Sequence, residues 1–158
     1  MSTALPNRSR LPHDVPHWVD PAWQVWFVTI CTQPRGPNQL ASLEVWRVIS
    51  ESIVHRREQG VWFTQILLLM PDHLHMLMRL PPEAKTLKRL ISDWKRWISR
   101  ECGIRWQRDF FDHRLRWDES WAEKAEYIAQ NPVRMGLVKA AEEWPYVWRT
   151  ADENDFGM

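Results

Sequence analysis

The chain has little of several things, and each shortage removes a class of protein. Only two cysteines, Cys31 and Cys102, occur in 158 residues; they lie far apart without metal-ligand spacing, and they read as reduced thiols rather than a disulfide framework or a zinc site. No apolar run approaches the roughly 20 residues that a membrane-spanning helix needs, so a membrane protein is not expected. The first residues, with Arg8 and Arg10 followed by Pro12, Pro16 and Pro21, lack the apolar core of a signal peptide; they read as a loosely ordered arm and point to a cytoplasmic location. An excess charge of one sign is absent too, the net value being +1, and neither internal repeats nor low-complexity segments occur. Tyrosine is scarce, with Tyr127 and Tyr146 the only two, whereas tryptophan is abundant at 12.

What remains is an ordinary globular composition, 44% hydrophobic and 26% charged, of a length that suits one domain with a sizeable core. Its boundaries are expected at an arm over 1–22, a domain over 23–150 and a tail over 151–158. Trp23 to Thr32 is β-branched and aromatic and ends at Pro34, Gly36 and Pro37, which predicts a first strand. Ser42 stands where an N-cap belongs, and Leu43, Trp46, Ile49 and Ile53 recur at helical spacing until Gly60. Val61 to Met70 and His73 to Leu80 flank the turn Pro71-Asp72 and predict a hairpin. Leu87, Leu90, Ile91, Trp94 and Ile98 mark one face of a second helix that Gly103 ends, with Lys88, Lys95 and Arg96 expected on the exposed side. Trp106 to Arg116 alternates as a fourth strand. A third helix, capped by Asp118 and ended by Pro132, carries Trp121, Ala125, Tyr127 and Ile128. The order β-α-β-β-α-β gives an α+β fold of the ferredoxin-like kind, an antiparallel sheet with both helices on one face, the other face open, and one additional C-terminal helix.

The chemistry concentrates in Met70-Pro71-Asp72-His73-Leu74-His75-Met76-Leu77-Met78. Side chains alternate across a strand, so His73 and His75 share one face while Leu74, Met76 and Met78 share the other, and two imidazoles on one face can hold a metal. Tyr127 and Asn131 are four apart, on the same side of the third helix and about 6 Å apart along it. Tyr146, within Trp144-Pro145-Tyr146-Val147-Trp148, reads as packing. Charge is unevenly spread: between Lys85 and Arg116 ten cationic side chains face four anionic ones, a local +6 that supplies what phosphate contact requires. His113 reads as an ordinary polar strand residue.

Three phrases in order, His73-Leu74-His75 after Met70-Pro71-Asp72, the linking Trp106-Gln107-Arg108-Asp109-Phe110-Phe111-Asp112-His113, and Tyr127-Ile128-Ala129-Gln130-Asn131-Pro132-Val133-Arg134-Met135-Gly136-Leu137-Val138, resemble the REP-associated tyrosine transposases of the HUH single-tyrosine superfamily. The likeness runs from about Trp26 to Trp148. It implies a metal-dependent single-stranded DNA endonuclease and strand transferase acting on hairpin-forming, REP-like repeats, located with bacterial DNA. In that reading His73 and His75 are metal ligands, Tyr127 is the nucleophile, and Asn131 is the third ligand. Many superfamily members carry glutamine at that place, one methylene longer, so here the metal would sit closer to the helix. Mg²⁺ or Mn²⁺ is the implied ion, and the product is a 5′-phosphotyrosine with a free 3′-OH. Lys88, Lys95 and Arg96, with Arg134 and with Arg8 and Arg10 from the arm, are the expected DNA contacts. Monomer and dimer both remain open. The competing readings are a non-catalytic ferredoxin-like nucleic-acid-binding module, which would want aromatics rather than histidines on its strands, and a small-substrate metal hydrolase, which would want more carboxylates.

Overall fold

The computed structural model describes residues 23–116 and 118–150; the arm with Arg8 and Arg10, and the tail, lie outside the described residues. In chain order come β1 (Gln24–Cys31), α1 (Leu43–Glu58), β2 (Phe63–Leu69), β3 (His73–Leu80), α2 (Leu87–Cys102), β4 (Phe111–Arg114), α3 (Trp121–Ala129), α4 (Asn131–Arg134) and β5 (Val147–Arg149). The five strands form one sheet in the order β4-β1-β3-β2-β5, and every neighbouring pair is antiparallel.

Local chemistry explains the element ends. The Ser42 side chain accepts from the Val45 amide and starts α1, and Thr86 does the same for Arg89 at the start of α2. Gly103 ends α2 at φ 71°, a left-handed conformation open to glycine at little cost. α3 is capped by Ser120 rather than Asp118. The fourth strand is shorter than the alternation of Trp106 to Arg116 predicts: only Phe111–Arg114 joins the sheet, while Trp106 makes a single bridge to Thr32. β5 is an addition that the sequence pattern did not predict, because three residues are too few to display a period.

Alternation along β3 divides the core. Leu74, Met76, Met78 and Leu80 point to one side, where Ile49 and Ile53 of α1 and Leu90, Ile91, Trp94 and Ile98 of α2 cover them. Two indoles there are paired edge-to-face, Trp62 on Trp94 at 5.5 Å, and each N–H is used: Trp62 donates to Thr64 and Trp94 to Ser52. The opposite face is not open throughout, as expected, but half covered. Val25, Ile66, Leu68 and Leu77 pack there against Ala125, Ile128 and Ala129 of α3. Among the described residues α3 packs mainly over β2 and β3 rather than over β1 and β4, and His73 and His75 lie on this face. No helix among the described residues is long and apolar enough to cross a membrane.

Candidate active site

The two histidines are held by partners on their Nδ1 atoms. His73 Nδ1 lies 2.8 Å from Asp72 Oδ1, and His75 Nδ1 lies 2.8 Å from the Thr29 hydroxyl on the paired strand β1. Fixing Nδ1 leaves Nε2 of each ring as the donor toward the site, the arrangement by which metal-binding imidazoles are usually oriented. The rings stand edge to face with centroids 4.9 Å apart. Asp72 is itself braced: burial alone would raise its carboxyl, yet hydrogen bonds from Arg35, His73 and the Gly36 amide hold it well below the usual carboxylate range. The His75 imidazole is pushed down to about 3, first by burial and then by the neighbouring His73, Arg134 and Arg35, so it is neutral at physiological pH. A neutral imidazole is the form that binds a metal.

Asn131 enters the site differently from the sequence expectation. It does not continue the tyrosine helix: α3 stops at Ala129, and Asn131 opens α4, with Pro132 in the first turn, where a missing N–H costs nothing. Asn131 is buried, and its Nδ2 donates to His73 Nε2 at 3.3 Å, whereas Tyr127 is 54% exposed. A half-turn of the carboxamide would present Oδ1 where Nδ2 now lies, two assignments that differ only in the network chosen. Two Nε2 atoms and a carboxamide oxygen fit a divalent cation with coordination positions left open. Among the described residues no cluster of three or more His, Cys, Asp and Glu side chains could hold a metal.

Arg134, although exposed, folds back onto the tyrosine. Its Nη2 donates to the Tyr127 carbonyl at 2.7 Å, and its guanidinium carbon lies 4.0 Å from the centre of the Tyr127 ring. Tyr127 also leans toward Phe27 on β1, centroids 6.3 Å apart, and Phe27 lies 5.6 Å from the His75 ring. One phenylalanine thus bridges the tyrosine and the histidine pair.

A protein of Haemophilus influenzae assigned to the REP-associated tyrosine transposases is 34% identical to this chain over 139 residues, 77% of each. The chain belongs to that family. The REP-associated tyrosine transposase of Escherichia coli K12 is 24% identical over 123 residues, covering 77% of this chain and 73% of that one. A solved structure of a REP-associated tyrosine transposase bound to a REP hairpin shares the fold, with a TM-score of 0.67 at 24% identity over 78% of this chain and 75% of that one. No family model matches the chain.

The basic residues of this transposase are distributed unlike the sequence expectation. Lys88 and Arg96 are exposed on α2, and Arg96 pairs with Asp93 at 3.4 Å, but α2 packs on the sheet face opposite the histidines. Lys95 is not exposed. It is 8% accessible, and its ammonium donates to the carbonyls of Gln107 at 2.8 Å and Arg108 at 3.1 Å, so it fastens the loop before β4 to the helix. That loop and α2 enclose a basic cleft lined by Arg96, Arg105 and Arg108. Tyr146 packs against Trp46 and Trp144, in line with a structural role. Sequence reading missed Thr29, Phe27, Asp72 and Arg35 as parts of the site. The cross-strand register, Thr29 opposite His75, could have revealed the two β1 residues; Asp72 adjoins His73 in sequence, and Arg35 is brought to it only by the loop after β1.

Proposed function

We propose that this transposase is a metal-dependent single-stranded DNA endonuclease and strand transferase whose nucleophile is Tyr127, built on a ferredoxin-like βαββαβ sheet. The observation that carries the reading is the convergence of His73, His75 and Asn131 on one sheet face, with Tyr127 exposed on the helix that crosses it. His73, His75 and Asn131 would hold a Mg²⁺ or Mn²⁺ ion. When bound, such an ion neutralises charge on a non-bridging oxygen of the scissile phosphate.

The chain's own groups do the remaining work. Asp72 and Thr29 hold the imidazoles in orientation, so the donor atoms need no rearrangement. The Tyr127 oxygen attacks phosphorus in line, forming a phosphotyrosine ester with the 5′ phosphate of the strand that lies 3′ of the break. The deoxyribose 3′ oxygen leaves with a proton as a free 3′-OH. One ester replaces another, so no nucleotide cofactor is consumed, and the same 3′-OH or another can reverse the step. Arg134 stacks on the Tyr127 ring, where its charge stabilises the phenolate as the proton departs.

The substrate is proposed to be a REP-like hairpin with an unpaired flank. The support is the solved relative's hairpin complex and the exposed position of Tyr127, to which a flexible single strand has easier access than a stacked duplex. The test is incubation with single-stranded hairpin oligonucleotides and Mn²⁺, followed by a denaturing gel for a protein-DNA adduct. Tyr127→Phe is expected to bind hairpin and form no adduct, and Tyr146→Phe to form it normally. An adduct mapping to Tyr146 rejects the assignment.

A further inference from the structure

Beside the histidines and the tyrosine, the sheet face between β4 and α3 holds a cavity of about 700 Å³. Phe27, Phe111 and Tyr127 line it together with His75, His113, Lys124 and the carboxylate Glu123. The proposed transesterification uses only Tyr127 and His75 of these. The register of β1 with β4 creates the grouping: His113 stands opposite Phe27 and Phe111 opposite Thr29, which places side chains from an edge strand on the histidine face.

The aromatic rings are arranged for a planar guest. Among the described residues Phe111 is 61% exposed, a large apolar ring left mostly uncovered, and it forms an edge-to-face pair with Phe27 at 6.5 Å. Exposed aromatic surface gathered into a cavity beside a reacting group is a binding feature rather than packing. The polar side is ordered: His113 Nε2 lies 3.0 Å from Glu119, whose carboxylate also meets Lys124 at 3.7 Å. The site therefore combines stacking surface with a cation, the composition by which proteins hold unpaired bases and the phosphates between them.

We propose that this cavity receives the unpaired base of one nucleotide adjoining the scissile phosphate, stacked on Phe111 over Phe27, with Lys124 near its phosphate. The proposal rests on Tyr127 being the nucleophile, since the cavity adjoins that ring. Seating one base there would fix which phosphodiester lies against Tyr127, and a base still stacked in a duplex could not enter.

The test is a cycle between protein and DNA. After the cleaved bond is mapped with wild-type protein and Mn²⁺, hairpin oligonucleotides carrying one abasic residue at each flanking position are assayed for single-turnover adduct formation and, with Tyr127→Phe, for binding. A single adjoining position is expected to lose roughly tenfold when abasic. Phe111→Ala, at an exposed position that leaves the core intact, is expected to lose a similar factor on intact DNA and nothing further on that abasic DNA; Phe111→Trp is expected to retain the wild-type pattern. If the two losses multiply, or if no abasic position matters while the adduct still forms, the base pocket is refuted and the role of Tyr127 stands. If wild-type protein forms no adduct at Tyr127, the functional reading fails and the pocket with it.

Discussion

Replacing Arg134 separates two roles for it, because a DNA contact and a brace on Tyr127 fail differently. Its guanidinium makes one charge-assisted hydrogen bond, 2.7 Å to the Tyr127 carbonyl, and lies 4.0 Å from the centre of the tyrosine ring. A hydrogen bond to a charged group contributes about 1.5–3 kcal/mol when sheltered, and an exposed cation–π contact about 0.5–1 kcal/mol. Arg134 is exposed, so solvent screening brings the joint contribution to about 1–2 kcal/mol. Spent on holding the ring and stabilising its anion, that amount corresponds to about tenfold in rate. Arg134→Gln is therefore expected to slow single-turnover cleavage about tenfold at saturating hairpin and to leave hairpin affinity within about twofold. Arg134→Lys, which keeps the charge but not the planar stack, is expected to recover part of the rate. Equal cleavage by Arg134→Gln at saturation, with affinity lost and the salt slope reduced, would show that the residue touches phosphate and that the bracing argument is wrong.

Four further outcomes follow from other residues. His73→Ala, His75→Ala or excess chelator is expected to abolish adduct formation, and Asp72→Asn to weaken Mn²⁺ binding by about 10–100-fold in a titration calorimeter; full activity in chelator would reject the metal site. Lys88 and Arg96 are expected to behave as phosphate contacts, each neutralisation lowering the slope of log affinity against log salt by about one. Lys95→Met is expected instead to cost about 1–3 kcal/mol of stability in denaturant melts, because two carbonyls lose their donor. Acid should destabilise the metal-free protein in two steps. The folded imidazole of His75 resists protonation until about pH 3, so the unfolded chain gains a proton first and stability falls as pH drops below about 6.5, by about 2 kcal/mol at pH 5. Asp72, whose folded carboxyl is depressed, adds its own loss below about pH 4. A His75→Gln variant that keeps the upper step in urea melts would remove His75 as its cause.

Much of the fold was legible because the governing rules are local. Alternation alone separated His73 and His75 from Leu74, Met76 and Met78, since a strand offers only two faces. Ser42 and Gly103 marked helix ends because capping depends on single residues and their neighbours. The motif phrases likewise carried the family and the candidate residues.

Tertiary structure decided what local periodicity cannot express. Lys95 sits at the border of the apolar stripe of α2, four residues after Ile91, and became buried only because the loop before β4 folds over it. Asn131 met His73, 58 residues earlier, only because α3 and α4 dock on the histidine face, where Asn131 is buried and Tyr127 is exposed. Phe27, Thr29 and Phe111 joined the site through strand pairing across tens of residues, and β5 formed because β2 had a free edge. Each of these depends on which distant segment arrives next to which. Sequence by itself therefore determined the order of the first four strands and the three longer helices and which residues are candidates for the chemistry; only the packed chain decided which side chains meet, because contact between remote residues is set by sheet register and helix docking rather than by spacing along the backbone.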